Sequence, residues 1–155
     1  MTTSYKPQGF TTLTPFLVVA PAAQAIDFYV DVFGARVVSR MDLPDGQVAH
    51  AELELEDGRF QLGDPNDAYG IVAHDGATPA THSIAIYVAD CDATTEAAAK
   101  GGATVREQPA TFVTGDRFAS IVDPYGVRWT IMTRVEEVSD AEAERRVNEW
   151  LAAQG

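Results

Sequence analysis

Between Val48 and Glu56 apolar and polar residues alternate without a break. Ala49, Ala51, Leu53 and Leu55 fall on one side, and His50, Glu52, Glu54 and Glu56 fall on the other. That period of two predicts a strand with one buried face. Thr14–Val19, with its β-branched residues, and Arg36–Met41 also read as strands. Between them the period changes. Ile26, Tyr29, Val30 and Phe33 recur at helical spacing, Pro21 sits where a first helical residue is favoured, and Gly34 supplies the stop. Leu43-Pro44-Asp45-Gly46 predicts a turn, because Pro presets φ and Gly tolerates the left-handed region. Asp57-Gly58 is a two-residue hairpin signal, and Arg59–Leu62 closes the unit as a fourth strand.

The same order then returns. Ser83–Val88 predicts a strand, Asp92 a helix cap, and Gly101-Gly102 the end of that helix. Strands Thr104–Glu107 and Arg117–Val122, the turn Asp123-Pro124-Tyr125-Gly126 and a strand Val127–Thr133 follow. Thr14 corresponds to Ser83, and Phe60-Gln61-Leu62 to Trp129-Thr130-Ile131, at an offset of 69; Ala35 and Ala103 lie 68 apart. Half-sized units of this kind cannot bury their own faces and must pack together. The pattern predicts an α+β fold in one domain over 1–155, built from module one (13–63) and module two (82–135). The two tandem βαβββ modules are expected to form a cup-shaped mixed sheet with helices on its convex side. Residues 1–12 read as an extended arm. Residues 64–81, rich in Gly, Pro, Asp and Ala, are a linker or a loop over the site. Ser139 with Glu142 is a capping box for a last helix over 139–153. Its Ala143, Val147, Trp150 and Leu151 form a stripe expected to pack on the body or on a second subunit.

Composition narrows the partners. The chain has 155 residues, enough for one core. A net charge of −12 argues against nucleic acid or an anionic membrane as partner and would suit a cationic ligand, although solubility alone also accounts for it. Cys91 is the sole cysteine, so no intrachain disulfide forms, and a cytoplasmic location is expected. No segment approaches transmembrane length or resembles a signal sequence.

Paired modules, Ile26-Asp27-Phe28-Tyr29, Phe33-Gly34-Ala35 and Asp123-Pro124-Tyr125-Gly126 together resemble the vicinal oxygen chelate superfamily, which includes glyoxalase I, extradiol dioxygenases, epimerases and bleomycin-resistance proteins. Thr14-Pro15-Phe16, His50-Ala51-Glu52-Leu53, Gly115-Asp116-Arg117-Phe118 and Arg128-Trp129 look like its PhnB-like branch. The resemblance spans roughly residues 9–147. It implies the fold strongly and the activity weakly, since one scaffold hosts many chemistries. It also implies a homodimer. In metal-dependent members each module gives one His or Glu from its first strand and one Glu from its fourth, and the ion sits in the cup. The matching positions here are Thr14, Gln61, Ser83 and Thr130, none ionisable. His82 would reach the position only by a one-residue slip, which would turn its strand inside out. No metal and no cofactor are therefore expected.

The period-two rule places His50, Glu52, Glu54, Phe16, Gln61, Ala85, Tyr87, Phe118, Ser120, Arg128, Thr130 and Met132 on the concave side, as a pocket with aromatic walls and a few polar anchors. The apolar members among them would serve equally as plain core. His50 and Glu52, two apart on one strand, are the only pair suited to proton chemistry, and a structural polar pair is the alternative. Arg59 and Arg128 are equivalent and read as solvated strand ends, with Arg128 able to clamp an anion. Asp116-Arg117 reads as a turn and ion pair. The leading expectation is metal-independent binding of an unidentified small organic molecule. The alternatives are a lyase, isomerase or dioxygenase-like enzyme using His50 and Glu52, and a ligand-sensing module without chemistry.

Overall fold

The computed structural model of the chain describes residues 3–155, which group into two compact units. The first runs to Ala80 and takes in the turn Pro124–Val127; the second comprises Thr81–Asp123 and Arg128–Gly155. Of the arm predicted over 1–12, residues 1 and 2 lie outside the described residues.

The first unit contains β1 (Phe16–Val18), α1 (Ala22–Phe33), β2 (Arg36–Asp42), β3 (Val48–Leu55) and β4 (Gly58–Gly63). Its sheet has the order β1-β4-β3-β2, with β1 parallel to β4 and the other pairs antiparallel. Leu17, Leu53, Phe60 and Leu62 are buried, as are Ala25, Ile26 and Tyr29 of α1. Tyr29 meets Phe60 edge-on at 5.6 Å between ring centroids, which seats the helix on this face. Full burial of such side chains stabilises by about 1.5–3 kcal/mol each. Gly34 ends α1 at φ 68°, a left-handed conformation that other residues adopt only with strain.

The second unit repeats the plan with β5 (Ile84–Tyr87), α2 (Cys91–Lys100), β6 (Thr104–Thr111), β7 (Asp116–Val122) and β8 (Arg128–Arg134), in the order β5-β8-β7-β6. Ile86, Ala119, Ile121, Trp129 and Ile131 are buried together with Cys91, Thr95 and Ala98 of α2. The Cys91 thiol donates to the Ile131 carbonyl at 3.3 Å, and burial pushes its pKa up. Trp129 Nε1 donates to the buried Asp123 carboxylate at 2.9 Å.

The ladders explain the two offsets. Phe16 pairs with Gln61 and Ala85 with Thr130, an offset of 69 on both strands. Glu52 pairs with Gln61 and Ser120 with Thr130, so β3 and β7 are 68 apart. The extra residue lies in the connection: residues 55–58 separate the pair Glu54–Arg59, whereas residues 123–127 separate Val122–Arg128. A further correspondence is irregular. The β2 register shifts between Val37 and Ser39, and the β6 register shifts between Val105 and Glu107, again 68 apart. Such bulges bend an edge strand and re-aim the side chains beside them.

Four expectations change in detail. Val48, not Ala49, is buried, because a second register shift between Met41 and Asp42 leaves Ala49 unpaired and breaks the alternation. Gly58 pairs with Leu55 as the first residue of β4, so the hairpin loop is Glu56-Asp57. Asp90, not Asp92, caps α2 by accepting from the Ala93 amide at 3.0 Å, which leaves Asp92 to bind Arg117 at 2.5 Å. Asp116 pairs with Arg134 at 3.1 Å, so Asp116 and Arg117 do not pair with each other. The 64–81 segment carries a single short 3-10 turn, Asp67–Tyr69. The last helix, α3, spans Asp140–Gln154 with Ser139 accepting from the Glu142 amide. It meets the unit through Trp150 against Phe112, while Trp150 and Leu151 stay 40% and 55% exposed.

Candidate functional site

Each sheet has one face under its helix, and the opposite face carries the polar residues. In module one, Phe16, Gln61, Glu52 and Ser39 are cross-strand neighbours in a single row over β1, β4, β3 and β2. His50 lies two residues from Glu52 on β3, with Nε2 3.7 Å from Glu52 Oε1, and its ring is 5.9 Å from that of Phe16. The Gln61 amide donates to Glu52 Oε1 at 3.4 Å. The structure thus gathers the half-buried His50, Glu52 and Gln61 with the exposed Phe16 on one patch, beside the Val37/Ser39 bulge.

The next carboxylate on β3 behaves differently. Glu54 accepts from Arg59 Nε at 2.9 Å and also binds Arg36. The two guanidinium groups hold its pKa below the usual carboxylate value. Among the described residues, no Arg or Lys reaches Glu52 within ion-pair distance, and His50 is its sole basic neighbour. Glu52 therefore has no guanidinium or ammonium partner among the described residues, in contrast to Glu54. Arg59 was expected at a solvated strand end, and the structure corrects this. Its side chain is 13% exposed, the Phe10 ring lies 4.9 Å from its guanidinium carbon, and Gly9, at φ 86°, lies against the same group. A Cβ at position 9 would push the flexible Arg59 guanidinium aside, and the φ of 86° at that position favours glycine.

Module two places its residues in matching rows. Tyr87, Met132, Phe118 and Ala110 form an apolar row; Ala85, Thr130, Ser120 and Glu107 form the adjacent polar row. Phe118 occupies the position of His50 and packs edge-on against Phe112 at 6.3 Å. Tyr87 is 63% exposed, and its hydroxyl donates to Asp116 at 3.4 Å. Arg128 Nε donates to the buried Ser120 hydroxyl at 3.1 Å.

The four positions expected to hold a metal in such folds do not fit one. In module one they are Thr14 and the amide Gln61, which is bonded to Glu52. In module two they are Ser83 and Thr130, whose hydroxyls bond each other at 2.9 Å. Neutral hydroxyls and an amide are poor donors for a divalent transition ion. His82 is exposed, with its ring against the Thr81 hydroxyl at 3.3 Å. No group of three or more His, Cys, Asp or Glu among the described residues could hold a metal ion.

Two features escape a reading from spacing. One is the arm closing over Arg59, a contact between residues about fifty apart with only Gly9-Phe10 as its signal. The other is the paired bulges, which leave no residue signature of their own.

Two four-stranded mixed sheets with matching strand orders, each formed by a βαβββ module, define a duplicated α+β scaffold. Residues 11–131 match the glyoxalase/bleomycin resistance protein/dioxygenase superfamily, and the chain belongs to that family. An uncharacterised protein of Mycobacterium bovis is 38% identical over 132 residues, covering 82% of this chain and 86% of its own. Two solved structures share the fold. TioX from Micromonospora sp. ML1 superposes with a TM-score of 0.63 at 22% identity, over 80% of this chain and 98% of TioX. A Bacillus cereus PhnB protein described as a putative 3-demethylubiquinone-9 3-methyltransferase superposes with a TM-score of 0.61 at 21% identity, over 79% of this chain and 99% of its own. No helix among the described residues is long and apolar enough to cross a membrane.

Proposed function

We propose that this protein binds a small organic molecule without a metal, with Phe16, His50, Glu52 and Gln61 forming the module-one contact surface. The observation that carries this reading is the contrast between Glu52 and Glu54. Both lie on one face of β3, yet only Glu54 is neutralised by guanidinium groups. A half-buried carboxylate with an amide donor on one side and an aromatic ring nearby suits a ligand with a cationic or hydrogen-bond-donating head and a flat apolar body. The test is calorimetric titration with phenylpropylamine and its neutral analogue phenylpropanol. Glu52→Gln should weaken the amine about three- to tenfold and leave the alcohol unchanged, since it removes charge and keeps shape. Equal effects on both ligands would refute the assignment.

The same pair supports a second reading, an enzyme of the lyase, isomerase or dioxygenase type. His50 Nε2 lies 3.7 Å from Glu52 Oε1, close enough for the two to act together on one bound substrate. Turnover abolished by His50→Gln but retained by Gln61→Ala would favour it. We extend the first reading to a twofold dimer in the cytoplasm. Apolar Met41 on the edge strand β2 and Trp150 and Leu151 on α3 remain exposed in the single chain, and Cys91 is buried and unpaired. Sedimentation at micromolar concentration reads the assembly.

A further inference from the structure

The duplication provides an internal control for every position on the sheet faces, and Arg128 departs from its counterpart. In module one, Arg59 is paired across the ladder with Glu54 and bonds it at 2.9 Å. In module two, the ladder partner of Arg128 is Val122, which occupies the position of Glu54. The cross-strand carboxylate is gone while the cation remains. Arg128 instead donates Nε to the Ser120 hydroxyl at 3.1 Å, and its one carboxylate contact among the described residues is Glu107 at 3.4 Å, half exposed. Arg59 is closed over by Phe10 and Gly9; Arg128 is 38% exposed. In a chain with 23 acidic and 11 Lys or Arg residues, a sheet-face guanidinium is easily neutralised, so one that is oriented by a buried neutral hydroxyl is informative.

We infer that Arg128 and Ser120 form an anion subsite on the module-two face, taking the carboxylate of a ligand whose apolar body lies over Phe118 and Met132. The inference rests on the reading of the chain as a small-molecule binder and names the chemistry of a second contact surface. Arg128 Nε is fixed by Ser120, Nη2 reaches the exposed Glu107 carboxylate at a long 3.4 Å, and a ligand carboxylate that displaces Glu107 would meet both terminal nitrogens side by side. The Ser120 hydroxyl accepts from Arg128 and retains its own proton to donate. Along β7, Phe118 lies two residues before Ser120, about 6.7 Å away, on the same face. Met132 is the cross-strand neighbour of Phe118, so the polar row is bordered directly by an apolar one. The reach from Ser120 to Phe118 is close to that from carboxylate to ring in phenylpropionate.

The probes are phenylpropionate, phenylpropanol and phenylpropylamine, titrated into the full chain with backbone amide shifts as the readout. Phenylpropionate should shift β7 and β8 amides and bind there about tenfold or more tighter than the alcohol. Arg128→Gln should remove that preference and leave the alcohol's affinity unchanged, which also reports that the variant is folded. Ser120→Ala should weaken the acid about two- to fivefold, and Arg59→Gln should leave its β7 and β8 shifts unaltered. If the alcohol or the amine binds this face as tightly as the acid, or Arg128→Gln leaves the acid's affinity intact, the anion subsite is wrong while small-molecule binding stands. If none of the three moves an amide of either module, both the subsite and the binding reading fail.

Discussion

Asp64 offers a stringent test of how module one holds its site strands in place. It follows the last residue of β4, and its carboxylate accepts from the Val48 amide at 2.7 Å and the Ala22 amide at 3.1 Å. One side chain thus joins the end of β4, the start of β3 and the first turn of α1, where no side chain of the preceding residue caps the helix. Val48 and Ala22 are both fully buried, so water cannot easily replace the lost acceptor. A hydrogen bond to a charged group contributes about 1.5–3 kcal/mol, and loss of a helix cap costs about 0.5–2 kcal/mol, so Asp64→Ala should destabilise by about 2–4 kcal/mol. For a chain of this size that lowers the thermal midpoint by about 5–15 °C. Asp64→Asn keeps one acceptor oxygen but turns an amide donor toward the second N–H, so it should recover no more than half the loss. Urea unfolding followed by circular dichroism gives the energy, and amide exchange at Val48 and Ala22 shows whether the loss is local. Asp64→Ala within about 0.5 kcal/mol of the parent, with both amides still protected, would refute this account, because surface changes without structural consequence fall in that range.

Phe118 lies half-buried on the outer face, so Phe118→Ala should cost well under the roughly 3–5 kcal/mol of a buried Phe while weakening phenylpropionate. A full core-sized loss with unchanged ligand affinity would make it core. In the α3 region, hydrogen bonds from Arg145 and Arg146 lower the Glu142 pKa to about 2, and Arg146 lowers that of Glu136. A carboxylate whose pKa is lower folded than unfolded stabilises above the unfolded value of 4.5 and loses that contribution as pH falls toward 2. The α3 amides should therefore lose protection between those values, and at higher pH in Arg146→Ala; identical exchange profiles for parent and variant would overturn this.

The fold was legible because its signals are local and repeated. Alternation marks β3, helical spacing marks α1, and the offset of 69 is the register that places Phe16 beside Gln61 and Ala85 beside Thr130. What failed were points where tertiary contacts override local pattern. Ala49 breaks alternation because a bulge removes it from the ladder, and parity arguments assume an unbroken one. Asp90 and Asp92 are both good cap residues, and the choice falls to Arg117, twenty-five residues away, which engages Asp92. In the candidate site, parity correctly put Glu52 and Glu54 on one face with His50. It could not tell them apart, since their difference lies in which guanidinium groups reach across from β2 and β4.

That limit also yields the last prediction. The modules share a backbone, so residues at matching ladder positions can be exchanged and the electrostatics should follow. Val122 stands where module one has Glu54, with Arg128 across the ladder as Arg59 is across from Glu54. Val122→Glu should therefore rebuild the module-one ion pair in module two. The new carboxylate would take the terminal nitrogens of Arg128, as Glu54 takes Arg59 Nε. Val122 is half-buried, and an ion pair at such a position contributes about 0–1 kcal/mol, so stability should change little. Phenylpropionate binding on β7 and β8 should instead fall by about tenfold, matching Arg128→Gln, because the guanidinium is neutralised without being removed. The double variant Val122→Glu/Arg128→Gln should bind the acid more weakly than either single one, because the Glu then faces the ligand's carboxylate without a cation to neutralise it. Unchanged acid affinity in Val122→Glu would show that the ligand's charge is read elsewhere on the face.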